Sequence, residues 1–161
     1  MKDLNSYIAA YKEQLQKGDI LIAYNELVKF VMTCRTELIR KLSPDYSFAG
    51  ILHGYMDFTY FYFHNDFLKT KKLKFGLVLN HKEMRFELWL LGNTKAIQRQ
   101  YWELLKNSVL NQSGEEMPAY SILELVLVEN PDFNDLDSLR GEIEQGLEAS
   151  AEDILRAIQK I

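Results

Sequence analysis

The chain has 161 residues, 47% apolar and 26% charged, with 19 Lys+Arg against 23 Asp+Glu for a formal net charge of -4. That length fits one globular domain over residues 1–161 that folds without staples, and the composition excludes disorder, collagen-like repeats and low-complexity tracts. The mildly acidic balance argues against nucleic acid as a partner, since such binders carry a broad basic stripe. The lone cysteine, Cys34, excludes an internal disulfide and fits a reducing, cytoplasmic setting.

The opening residues, MKDLNSYIAAYKEQLQKGD, carry charges throughout and lack the apolar core of a signal peptide, and no later run has the length of a membrane span. Leu4, Tyr7, Ile8, Tyr11 and Leu15 recur at spacings of three and four, which predicts a first helix capped by Asp3 or Asn5. Lys17-Gly18-Asp19 reads as a stop and restart. A longer helix follows over roughly residues 20–42, with Tyr24, Leu27, Val28, Val31, Leu38 and Leu42 on its apolar stripe, and Ser43-Pro44 ends it.

The period then switches to two. Residues 54–63 (GYMDFTYFYF) predict an aromatic strand, and His64 to Lys72 a turn region. Residues 73–80 and 85–91 predict a hairpin. A four-residue loop pairs Asn80 with Arg85, Leu79 with Phe86, Leu77 with Leu88 and Phe75 with Leu90, which puts six apolar residues on one face. A three-residue loop would flip every side chain and mix the faces. In the chosen register Gly76 faces Trp89, so the indole is expected over bare glycine backbone.

Gly92-Asn93 ends that strand and caps a helix at about 94–108. Residues 120–129 are almost wholly apolar, as in a strand buried on both faces in the middle of a sheet. Leu136, Leu139, Ile143, Leu147, Ile154 and Ile158 keep a helical phase to the C-terminal region, with room for a kink or a second start near Gly146 and Ser150. The expected fold is α+β, a four-stranded mixed sheet packed by helices in the order α-α-β-β-β-α-β-α.

Charge is unevenly distributed. Residues 1–128 carry a net of +2, whereas residues 129–161 hold 3 basic and 9 acidic side chains, a net of -6. Lys69, Lys71, Lys72 and Lys74 form a small basic cluster, read as a solvated sheet edge, which Lys82 and Arg85 would join across the hairpin.

Much chemistry is excluded by inspection. There is no GxGxxG, no GxxxxGK[ST], no GxSxG and no HExxH. One cysteine and three scattered histidines predict no metal site, and no cofactor is expected. The element order is shared with restriction-endonuclease-like nucleases, yet no lysine follows an acidic residue at the (D/E)-x-K spacing that their metal site needs.

One constellation remains. Strand alternation places Tyr55, Asp57, Thr59 and Phe61 on one face, with His53 in the same parity, and Lys74, Arg85, Glu87 and Trp89 on the less apolar face of the hairpin. If those faces coincide, His53, Asp57, Arg85, Glu87 and Trp89 form a candidate pocket lined by aromatics, the usual form of a small-molecule site. The competing reading makes Arg85 and Glu87 a surface ion pair worth about 0–1 kcal/mol and Asp57 a strand-edge acceptor. The opposite parity, Phe58, Tyr60 and Tyr62, reads as core or an oligomer interface.

The stretch LKFGLVLNHKEMRFELWLLGNTKAIQRQYWELL, from Leu73 to Leu105, resembles the central block of an uncharacterised family of small bacterial proteins of unknown function. The resemblance implies a bacterial, cytoplasmic, single-domain protein and supplies no reaction. The preferred reading is a non-enzymatic binding or interaction protein whose partner is a second copy, another protein or a small molecule. The alternative is a hydrolase or degenerate nuclease-like enzyme using Asp57 and Glu87, with His53 as base. A third reading docks the acidic C-terminal helix on a partner, with salt-sensitive binding.

Overall fold

The structure, a computed structural model, describes all of residues 1–161. Helix α1 (Leu4–Lys17) starts at Asp3, whose carboxylate accepts the Ser6 backbone N–H. It ends at Gly18, which takes the left-handed conformation (φ 88°) and lets α2 (Asp19–Leu42) begin at once. Ser43, extended before Pro44, stops α2 as the sequence predicts.

The sheet corrects the expectation of four mixed strands. It has five, all antiparallel, and their spatial order is their chain order: β1 (Tyr46–Phe48), β2 (Phe58–Asn65), β3 (Leu73–Asn80), β4 (Arg85–Gly92) and β5 (Leu123–Val128). Three residues are too few to display a period, so β1 leaves no pattern in the sequence. The expected turn after β2 contains a short helix, α3 (Asp66–Thr70), capped by Asn65. Strand β2 also starts four residues later than predicted, because Gly54 to Asp57 form a turn.

The hairpin register is the predicted one, residue for residue from Asn80↔Arg85 to Phe75↔Leu90. It also corrects the basic cluster: Lys74 lies opposite Leu91, at the far end of the hairpin from Lys82 and Arg85, so these two do not join it. Strand β5 is an edge strand rather than a central one. Its apolar run reflects a bulge: Phe86 pairs with Val128 but Glu87 with Val126, so Leu127 is extra. Leu127 packs toward Gly146 on the core side while Val126 takes the other face.

One sheet face carries the core. Phe61 and Phe63, Phe75, Leu77 and Leu79, Phe86, Leu88 and Leu90, and Leu123 and Leu125 pack there against Phe30, Val31, Cys34 and Leu38 of α2. Helix α5 (Leu136–Gln159) closes it with Leu139, Ile143, Leu147, Ile154 and Ile158, and runs uninterrupted past Gly146 and Ser150. Lys41 of α2 bonds the buried Glu144 of α5 at 2.6 Å. Burial, with Glu144 adding to it, pushes the Cys34 thiol up to about 12, which makes it unreactive at neutral pH. Helix α4 (Lys95–Leu105) is capped by Thr94, not Asn93. No helix is long and apolar enough to cross a membrane.

Candidate functional site

The other face of the sheet is only partly covered. Alternation places Phe58, Tyr60 and Tyr62 on it beside Lys74, Val78, Glu87, Trp89, Leu91, Glu124 and Val126, while Thr59 and Phe61 turn into the core with Leu79 and Leu77. This reverses the expected parity. The register Thr59↔Leu79 puts the residue class containing Thr59 and Phe61 opposite the buried side of the hairpin. Apart from Thr59, FTYFYF is aromatic in both phases, so the pattern itself does not choose a side.

Asp57 reaches the open face by another route. It precedes β2, at the end of a tight turn in which Gly54 (φ 63°) and Met56 (φ 65°) both adopt left-handed conformations. A Cβ on Gly54 would lie 2.4 Å from the Phe58 carbonyl oxygen and 2.5 Å from Asp57 Oδ1, so only glycine fits there. Asp57 Oδ1 accepts the backbone N–H groups of Tyr55 (2.8 Å) and Phe58 (2.7 Å). The Tyr55 bond, then that of Phe58, holds this carboxyl below its ordinary value. Both bonds fall on Oδ1, and Asp57 is in no ion pair.

Asp57 rims a recess of about 170 Å³ with Trp89 at its floor and Tyr55, Phe58, Tyr60, Tyr62 and Tyr120 around it. Four of the rings pair: Phe58 meets Trp89 edge-on at 5.0 Å, and Tyr60 and Tyr62 lie 5.4 Å apart, while Tyr55 and Tyr120 stand exposed at the rim. Tyr120 arrives from a loop that α4 fixes. Gln98 Nε2 donates to the carbonyls of Pro118 (2.9 Å) and Ser121 (3.0 Å), and Lys95 Nζ to that of Ala119 (2.7 Å).

Of the five sequence-derived residues, three are directly bonded. Glu87 is buried (2% exposed) and accepts Trp89 Nε1–H at 2.7 Å on one oxygen, and Arg85 Nε–H at 2.7 Å and Asn80 Nδ2–H at 3.1 Å on the other. Glu87 is thus the clamp that orients the indole. Asp57 shares the recess with Trp89 but not the hydrogen-bond cluster. His53 is exposed in the preceding turn, outside the recess. Gly76 stands opposite Trp89 as expected, and the atoms nearest to where a side chain at Gly76 would begin belong to Leu91 and Tyr62, the indole being bonded to Glu87 and edge-on to Phe58.

The sequence reading missed Glu124, which lies opposite Trp89. Burial, and next the Glu87 charge, raise its carboxyl to about 7. Its signal was a lone charge inside an apolar strand. It also missed His81, which stacks on Tyr24 (5.7 Å), shares a 2.7 Å hydrogen bond with Thr59 Oγ1, and is pulled below its usual value by burial. At the other end of the face, Lys74 sits 4.2 Å over the Tyr62 ring. No group of three His, Cys, Asp or Glu side chains stands together in a way that could hold a metal ion.

A five-stranded antiparallel α+β fold with one dry and one open, aromatic sheet face is the class these features define. The chain belongs to the family described as a domain of unknown function, DUF7000, whose model matches residues 4–158. No curated protein and no solved structure matches it.

Proposed function

We propose that this is a non-enzymatic binding protein whose open sheet face takes a small organic cation, an ammonium group entering the aromatic recess with Asp57 as its counter-ion. The observation that carries the reading is an ionised carboxylate at the rim of a Tyr/Phe/Trp recess, fixed by two backbone bonds and in no salt bridge, the histidine that feels its charge, His81, being held below its ordinary value by burial. Aromatic faces attract cations by their quadrupoles, and the attraction grows where water is excluded. The recess suits a headgroup rather than a large molecule, since pockets for drug-sized ligands run to roughly 300 Å³ or more. Cys34, buried and unpaired, supports a reducing, cytoplasmic setting, and the family resemblance supports a bacterial one.

The test uses Trp89 as its own reporter in a Trp102→Phe background, titrated with benzyltrimethylammonium and with its uncharged carbon isostere. Saturable fluorescence change with the cation, at least tenfold weaker in Asp57→Asn, is expected. No saturation below about 10 mM, or equal response to the isostere, would overturn the reading.

A second reading, a hydrolase using sheet carboxylates, is supported by Glu124, because a carboxyl titrating near neutrality suits a general acid. In that reading Glu124 serves in place of Glu87, whose oxygens are both engaged. Turnover of model ester or phosphoester substrates that vanishes in Glu124→Gln would favour it over the binding role.

A further inference from the structure

Helix α1 is amphipathic and buries nothing. Leu4, Tyr7, Ile8, Tyr11 and Leu15 recur as one stripe, yet each is between 37% and 73% exposed, and Ile20, Leu21 and Ile22 at the start of α2 are 47–65% exposed. The one element against which α1 packs substantially is α2, reached through the Gly18 corner. A 14-residue helix without tertiary support is marginal in water, because nucleation costs more than so few turns return. Its sequence is nonetheless patterned for burial. The face therefore needs a cover.

We infer that the cover is a second copy of this chain, with α1 and the start of α2 of two protomers packing about a two-fold axis into a helical bundle. The first argument is area. Eight of the eighteen exposed large apolar residues of the chain lie between Leu4 and Ile22, a concentration of apolar surface suited to an interface that takes ~800 Å² from each partner. A symmetric dimer uses the same patch twice, so no second surface has to be found on a partner. The second argument is charge. Lys2, Lys12 and Lys17 are balanced by Asp3, Glu13 and Asp19, and Glu13 pairs with Lys17 at 3.3 Å. Such a patch meets its own image without net repulsion, whereas an anionic membrane surface or a strongly charged peptide finds no excess charge to recognise. Tyr7 and Tyr11 at the centre are residues that interfaces favour.

The interface is separate from the sheet recess, so either reading stands or falls alone. Sedimentation at protein concentrations from about 1 to 100 µM is expected to give a dimer, and the variant Ile8→Glu/Tyr11→Glu a monomer. Neither substituted side chain is buried in the protomer, so the variant is expected to keep its near-ultraviolet circular dichroism. Hydrogen exchange supplies a second readout: amides 4–17 are protected in the wild type and exchange freely in the variant, with the strands unchanged. A wild-type monomer across that range, a dimer that survives the double substitution, or a monomer that instead partitions onto anionic lipid vesicles would each overturn the assignment.

Discussion

The two faces of the sheet are built from the same strands but hold together differently. On the helix-covered face, Phe61, Phe63, Phe75, Phe86 and Leu88 are completely buried, and cohesion is mainly close packing, with polar contacts at its margins in Thr59–His81 and Lys41–Glu144. On the open face, the partly exposed rings of Phe58, Tyr60 and Tyr62 lie over a small buried cluster of Val78, Trp89 and Leu91, and the indole of Trp89 is further held by a hydrogen-bonded carboxylate. The first face is limited by volume and by the cost of burying an unpaired polar group; the second is limited by the bonds that orient Trp89. A face that is only partly covered cannot rely on burial alone, so directional bonds to Glu87 add to it.

Substitution of adjacent residues on β2 separates the faces most sharply. Phe61→Ala is expected to cost about 3–5 kcal/mol in urea unfolding, since it leaves a cavity in the core, whereas Tyr60→Ala costs about 1 kcal/mol. Equal costs would mean that the open face is structurally a second core. Next in size is Glu87→Ala, which strips Trp89, Arg85 and Asn80 of their acceptor. A loss of about 2–4 kcal/mol is expected, with a shift in Trp89 emission. An unchanged spectrum would remove Glu87 as the orienting clamp.

The smallest effect carries a pH signature. The folded state holds the Glu124 proton up to about pH 7, whereas an ordinary carboxyl in the unfolded chain releases it near 4.5. Below that range both states are protonated and nothing is lost; as pH rises through 7 the native state bears a destabilising charge. Glu124→Gln therefore matches the wild type at pH 4 and exceeds it at pH 8. The gain is about 1–2 kcal/mol, less than the full shift implies because the side chain is half-exposed. A pH-independent difference would place the effect elsewhere.

Much of the frame was legible because its signals are local. The hairpin register followed from which pairing segregated Leu77, Leu79, Phe86 and Leu88, and the helix stops followed from Gly18 and Ser43-Pro44. The site was less legible for a reason residing in β2. Aromatics in both phases hide which face is buried, and the turn at Gly54 and Met56 moves the strand start, so Asp57 reaches the recess from a loop rather than by alternation. Glu87 and Trp89 were correctly placed side by side, but a bond of 2.7 Å between them is not written in the spacing. The periodicity of α1 was read correctly as a helix; periodicity says that a face seeks cover, not which chain supplies it.

Strand order that follows chain order has a kinetic side. Each pairing from β2 to β4 joins neighbouring segments, so those hairpins close short loops and form early. Helix α2, made first, covers part of their greasy side, but the rest of the cover comes late: Leu139, Ile143 and Leu147 lie well beyond β4 in the chain. On the ribosome, a nascent chain that has finished this meander has α2 in hand to cover part of the face, but the share of the cover that α5 supplies over β4 is missing until α5 has left the exit tunnel, an interval in which exposed apolar surface invites misassociation.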